Sequence, residues 1–150
     1  MIGAMEGFVI MLVLLLLAIF LVPLIFFLLQ LQKLLNACTP GSRQMDPGMV
    51  WLNLIPLFSL GWMIYTVIKI RDTLKIEFPA RNIETDDPEF CFPIGLAMGI
   101  CSACSIIPFI NYLTGIASLV LMIIYWIKMH KYTTILESNN LIQGNIKIIT

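Results

Sequence analysis

The fold is decided by residues 21–70, LVPLIFFLLQLQKLLNACTPGSRQMDPGMVWLNLIPLFSLGWMIYTVIKI, in which two apolar blocks flank one polar island. Each apolar block contains a proline, Pro23 in the first and Pro56 in the second. This stretch has four charged residues, which lie in the polar island or at the far end of the stretch. They are Lys33, Arg43, Asp46 and Lys69. This pattern predicts two helices in apolar surroundings that are joined by a polar turn.

The composition predicts the solvent of those helices. Of the 150 residues, 59% are hydrophobic and 12% are charged. Soluble domains carry about 25% charged residues, so this chain has too little polar surface to cover a water-soluble fold. We therefore expect a small polytopic membrane protein in contact with lipid. The formal net charge of zero argues against a nucleic-acid partner.

The apolar runs predict an all-α membrane protein with a single domain and four transmembrane helices. A polar segment at 71–91 and a tail at 131–150 complete the chain. Asp46 followed by Pro47 is typical of a helix start, and Pro79 of a helix end. The expected helices are about 8–35, 49–78, 92–107 and 112–130.

The third and fourth predicted helices are shorter than the ~20 residues that a membrane span requires. Two arrangements remain open for them. They either cross a locally thin bilayer or form a re-entrant hairpin that is buried against the first two helices.

The distribution of Lys and Arg predicts the orientation. With four crossings, the N-terminus, the segment Arg71–Phe90 and the tail share one side, and Lys33 and Arg43 lie on the other. The shared side holds seven of the nine basic residues, so both termini are expected in the cytoplasm. These seven are Lys69, Arg71, Lys75, Arg81, Lys128, Lys131 and Lys147.

Intramembrane charge is missing from the predicted spans, which argues against ion-coupled transport and proton relays. The single histidine, His130, lies at the end of the fourth predicted helix, so one chain does not supply two axial histidines to a haem. The sequence shows no nucleophile–base pair, no metal-ligand spacing and no phosphate loop. We expect a protein that is not an enzyme and that uses no metal and no cofactor.

The motif CSAC, residues 101–104, has two interpretations. Cys101 and Cys104 share a helix face and suit a redox or metal-binding pair. The preferred interpretation is close helix packing by small residues, since Gly95-x-x-x-Gly99 precedes the motif. That packing is either internal or a seam between identical chains. The expected packing residues are Gly95, Gly99, Cys101 and Ala103.

Polar side chains on the second and fourth predicted helices give a second candidate site. Facing a shared interior, they would line a narrow pore or a pocket for a lipid headgroup. The preferred interpretation is hydrogen bonding between helices, typically worth ~0.6 kcal/mol each. These residues are Asn53, Ser59, Thr66, Asn111, Thr114 and Ser118.

Two stretches carry a resemblance to known proteins. The segments TPGSRQMDPGMVWLNLIPLF, residues 39–58, and IIYWIKMHKY, residues 123–132, resemble a family of small bacterial polytopic membrane proteins of unknown activity. The resemblance implies a bacterial inner-membrane protein and assigns no catalytic residue.

The function predicted from these observations is a non-catalytic accessory or scaffold subunit that packs against other membrane proteins. The first alternative is a homo-oligomeric pore or small-solute channel. The second is a membrane thiol-redox protein that uses Cys101 and Cys104. Membrane lipid and either other membrane proteins or further copies of the chain are the expected partners.

Overall fold

The computed structural model describes residues 2–55, 58–104, 107 and 110–149. These residues form four α-helices and one 3-10 helix, and no strand occurs among them, which confirms an all-helical fold. Pro56 and the end of the predicted helix 92–107 lie outside the described residues. The α-helices are α1 (Ile2–Ala37), α2 (Ser59–Ala80), α3 (Phe92–Cys104) and α4 (Asn111–Ile149), and the 3-10 helix is Pro47–Leu54.

The predicted helix 49–78 is two elements rather than one. Asp46 caps the 3-10 helix, because its side chain accepts a hydrogen bond of 2.8 Å from the N–H of Gly48. This helix ends at Leu54, and α2 begins at Ser59. The prolyl residue at 56 lacks a backbone N–H and disfavours helical geometry in the residue before it, which accounts for a break between the two elements.

The predicted tail at 131–150 is instead helical. α4 runs without interruption from Asn111 to Ile149 and is about 58 Å long at ~1.5 Å per residue. Thr133 and Leu136 are buried in the bundle, so the sequence after residue 130 contributes to the core. From Asn140 onward, every described side chain of α4 is exposed.

α1 and α4 run parallel to each other. Three contacts follow one another in the same order along both helices. Phe27 lies against Tyr125, Lys33 pairs with Glu137, and the carbonyl of Ala37 accepts a hydrogen bond from Asn140. α3 runs antiparallel to its neighbours and lies between α2 and α4. Gly95 in α3 lies close to both Val67 of α2 and Tyr125 of α4.

The core occupies one end of this bundle. Its centre is an aromatic cluster in which Phe78, Phe90 and Tyr132 make edge contacts with ring centroids 4.9–5.8 Å apart. Buried leucines from α1 close the core on its other side. The fully buried apolar residues of the three long helices include Phe27, Leu28, Leu31, Leu34, Leu35, Ile70, Leu74, Met129 and Leu136.

The other end of the molecule has an exposed apolar surface. Every described side chain between Met5 and Val22 of α1 is exposed, and packing begins only at Pro23. Two segments are long and apolar enough to cross a membrane, Met5–Ala37 and Asn111–Ile146. α3 is a shorter apolar helix of 13 residues, so four spans are not established.

Charge is segregated along the bundle, and one part of the predicted orientation is wrong. Lys33 and Arg43 were expected on the side opposite to the segment Arg71–Phe90. Instead, Lys33 bonds to Glu137 of α4, and the loop that holds Arg43 packs against the end of α2. The basic residues of α1, α2 and the 38–46 loop therefore meet at one end.

The glycines of α3 give a direct test of this packing. A Cβ at Gly95 would lie 2.6 Å from Cγ1 of Val67 and 2.7 Å from Cε2 of Tyr125. We predict that Gly95→Ala lowers the free energy of unfolding by about 1–3 kcal/mol, the usual cost of overpacking. The measurement is denaturant or thermal unfolding of the protein in detergent.

Gly61→Ala is the matched control. A Cβ at Gly61, an exposed position in α2, meets nothing within 4 Å, so the variant should gain up to about 1 kcal/mol of helix propensity. Equal stability of the two variants would contradict the packing described for α3.

Candidate functional site

The most elaborate polar site surrounds Glu77 near the end of α2. The side chain of Glu77 is 1% exposed, and its Oε1 accepts hydrogen bonds of 2.8 Å from both the N–H and the hydroxyl of Thr39. Nε of Arg81, one turn further along α2, donates to the same oxygen at 2.6 Å. The buried carboxylate therefore joins α2 to the first residues after α1.

Arg81 extends this contact to the ends of two other helices. Its Nη2 donates to the carbonyl of Ala37 at 3.1 Å, and its Nη1 donates to Oδ1 of Asn140 at 2.5 Å. Nδ2 of Asn140 donates to the same Ala37 carbonyl at 3.1 Å. One guanidinium thus holds α1, α2 and α4 together at the charged end of the bundle.

Arg43 supplies the remaining partners for the end of α1. The last carbonyls of a helix have no partner within it, and α1 has no basic residue in its last turn. Nη2 of Arg43 donates to the carbonyls of Asn36 and Cys38, each at 3.0 Å. Two arginines from other parts of the chain therefore cap this helix and complement its negative end.

These contacts shift the pKa values of the neighbouring groups. Burial alone would raise the pKa of Glu77, but hydrogen bonds from Ser42, Thr39 and Arg81 outweigh it and lower the pKa below 4.5. Oε2 of Glu77 is buried without a hydrogen-bond partner among the described residues. Burial, assisted by the charge of Glu77, raises the pKa of the Cys38 thiol to about 12. Cys38 is therefore a neutral core residue.

The four small residues of α3 occupy different surroundings. Gly95 and Gly99 are buried, and a Cβ at Gly99 would lie 2.7 Å from Cγ1 of Ile64 in α2. Both glycines thus lie in contacts within one chain. Cys101 and Ala103 are half-buried near the end of α3. Cys101 and Cys104 are free thiols.

Two of the polar residues predicted from the sequence lie together beside the 3-10 helix. Nδ2 of the buried Asn53 donates to the carbonyl of Val50 at 2.9 Å and to the hydroxyl of Thr66 at 3.2 Å. That hydroxyl donates in turn to the carbonyl of Trp62 at 2.8 Å. Oδ1 of Asn53 is buried without a partner among the described residues. Ser59 lies in the first turn of α2, above this pair.

The other three polar residues lie on α4, away from that pair. The hydroxyl of Thr114 donates to the carbonyl of Ile110 at 3.0 Å, within the first turn of the helix. Asn111 and Ser118 border a groove against Ser102 of α3. α3 lies between α2 and α4, so the six polar residues do not share one interior in a single chain.

Sequence reasoning missed the site around Glu77, because the end of the predicted helix 49–78 was interpreted only as part of a polar segment and given no partner. Its one local signal is Glu77 four residues before Arg81, the spacing of an ion pair on a helix. The partners Thr39 and Asn140 are distant in sequence and follow only from the fold. Among the described residues, no group of three His, Cys, Asp or Glu side chains could hold a metal ion.

Comparison with protein-family models, curated proteins and solved structures finds no match to this chain.

The role of Glu77 can be measured by removing its charge. We predict that Glu77→Gln lowers the free energy of unfolding by about 3 kcal/mol or more, because Arg81 then remains buried without its carboxylate. The measurement is unfolding in detergent at neutral pH.

Glu89→Gln is the matched control. Glu89 pairs with Lys75 at 2.7 Å, but both side chains are well exposed. Exposed pairs contribute at most about 1 kcal/mol. A loss in Glu77→Gln no larger than that in Glu89→Gln would show that the Glu77 contacts do not hold the helices together.

Proposed function

We propose that this chain is a non-catalytic accessory or scaffold subunit of the bacterial inner membrane. One observation carries the proposal: between Met5 and Val22 every described side chain is exposed, and all of these residues except Glu6 are apolar. Lipid and the helices of other membrane proteins are the surroundings that would cover such a surface.

The lengths of the charge-free segments support this placement. Residues 7–32 of α1 carry no charge and are about 39 Å long, which exceeds a hydrocarbon core of ~30 Å. Residues 111–127 of α4 are also uncharged but are only about 25 Å long. α1 crosses the bilayer in this arrangement, and α4 reaches most of the way across it.

α2 and α3 enter less deeply. The charge-free part of α2, residues 59–68, is about 15 Å long, and the whole of α3 is about 20 Å long. Both lengths fit short segments that are buried against longer helices rather than exposed to lipid.

The segregation of charge supports an orientation in which the termini lie on opposite sides. Cytoplasmic segments carry an excess of Lys and Arg, so the charged end of the bundle belongs in the cytoplasm. α1 and α4 are parallel and both end there. The C-terminal end of α4 is therefore cytoplasmic, and the N-terminal end of α1 lies across the membrane. This replaces the expectation that both termini are cytoplasmic.

Contacts within the chain favour an accessory role over chemistry. The charged groups of the buried site are engaged in holding three helices together. In contrast, Gly3 and Gly7 of α1 have open space around them, and their spacing is typical of contacts between membrane helices. The exposed part of α1 is thus the surface that another membrane protein would contact.

The two alternatives are less favoured. A pore lined by α2 and α4 would require several chains, because α3 lies between these helices. The hydroxyls of Thr66 and Thr114 already donate to backbone carbonyls four residues earlier in the chain, those of Trp62 and Ile110. For the redox alternative, Cys101 and Cys104 have no acidic or basic side chain of α3 beside them, since this helix carries none.

The direct test is the composition of the complex after gentle extraction from native membranes with a tag on the C-terminus. We expect a larger membrane protein at a fixed ratio, and we expect Gly7→Leu, on the open face of α1, to reduce its recovery. Gly144→Leu is the control, because Gly144 is equally open but lies at the charged end.

Recovery of the chain as a lone monomer would contradict the accessory role. Recovery as a closed ring of identical chains would favour the pore instead.

A further inference from the structure

A groove between α1 and α4 lies where the two helices separate. It has a volume of about 570 Å³ and is lined by apolar side chains, among them Pro23 and Leu24 of α1 and Leu119, Met122 and Trp126 of α4. Ligand pockets in proteins commonly measure ~300–1,000 Å³. The groove is therefore large enough for a ligand and offers it an apolar wall.

Pro23 accounts for the position of the groove. A proline inside a helix removes one backbone hydrogen bond and tends to bend the axis. After this residue one face of α1 is buried, beginning at Phe27, whereas every described side chain of α1 before it is exposed. The groove thus opens at the point where α1 and α4 stop packing against each other.

The lower end of the groove meets a basic surface. His130 lies one turn after Trp126 on the same stripe of α4, and its Nδ1 is 3.4 Å from Oε1 of Gln30 on α1. Lys131 is exposed at the same level and makes no ion pair in the described part of the chain. The nearby carboxylate of Glu137 is already paired with Lys33 at 3.0 Å.

The ligand is inferred from the combination of an apolar wall and an unpaired cation, Lys131, that follows the end of this wall along α4. A helix of another protein would cover the wall but would not by itself supply negative charge at Lys131. An anionic phospholipid supplies both parts, because its phosphate is attached to an acyl chain. Basic pockets between membrane helices on the cytoplasmic side bind such headgroups in other proteins.

The geometry points to a binding site for one anionic phospholipid, with an acyl chain in the groove and the phosphate at His130 and Lys131. This inference rests on the membrane placement proposed above and does not depend on the accessory role. Bound lipid would fill the gap between α1 and α4 and hold the upper parts of these helices at a fixed separation.

The test uses the full chain in phosphatidylcholine vesicles that contain either brominated phosphatidylglycerol or brominated phosphatidylcholine. Bromine on an acyl chain quenches tryptophan fluorescence on contact. The contribution of Trp126 is the difference in fluorescence between the wild type and the Trp126→Phe variant. We expect phosphatidylglycerol to be preferred about five-fold, the preference that one lysine gives at an anionic surface. Native mass spectrometry of the wild type, extracted from mixed vesicles, should retain one phosphatidylglycerol.

Charge variants separate this site from general attraction to the membrane. His130→Gln combined with Lys131→Gln should bring the preference close to one. Lys128→Gln should leave it unchanged. The Lys128→Gln substitution removes a positive charge from the same part of α4. The charge of Lys128, however, interacts with Asp87 and Cys91 on the α3 side.

Three results would overturn the inference. Equal quenching by the two brominated lipids would show ordinary, unselective lipid contact. Absence of quenching by both would show that a protein helix, such as that of a second copy, covers the groove. A chain that does not float with the vesicles would refute the membrane placement as well, whereas a chain that floats without a lipid preference would refute this site alone.

Discussion

The contact between Arg81 and the end of α1 is the constraint on which the rest of the bundle depends. A helix end buried without partners is costly, and α1 carries no cation of its own in its last turn. Arg81 bonds to the Ala37 carbonyl, and the buried carboxylate of Glu77 holds Arg81 in place. Satisfying this one helix end brings α1, α2 and α4 to the same level and gives α1 and α4 a common direction.

Because α1 and α4 are parallel, the molecule has a charged end and an apolar end. The charged residues of α2, the 38–46 loop and the second half of α4 gather beside the Glu77 site, where the core is dense. The apolar first half of α1 lies outside the packed core, because α1 and α4 separate from Pro23 towards their N-terminal ends. Lipid or protein at this end, and water at the other, satisfies both surfaces.

The sequence predicted the elements better than their arrangement. Helical structure and the short third helix follow from apolar runs and prolines. The single helix expected at 49–78 was wrong, because the 3-10 helix ends at Leu54 and α2 begins only at Ser59. The polar residues after 130 were interpreted as a tail, although Thr133 and Leu136 are buried. The Glu77 site was not predicted because Thr39 and Asn140 reach it only through tertiary contacts, which no local pattern reports.

The orientation of α1 and α4 is the central claim, and labelling of introduced cysteines tests it most directly. Gly3→Cys and Gly144→Cys place a thiol at exposed positions near the two ends of the chain, where a Cβ meets nothing within 4 Å. In intact spheroplasts, with unmodified protein as the background, a membrane-impermeant maleimide should label Gly3→Cys. It should label Gly144→Cys only after permeabilisation. Labelling of both variants on the same side of the membrane would contradict a bundle in which the parallel α1 and α4 place these two positions on opposite sides of the bilayer.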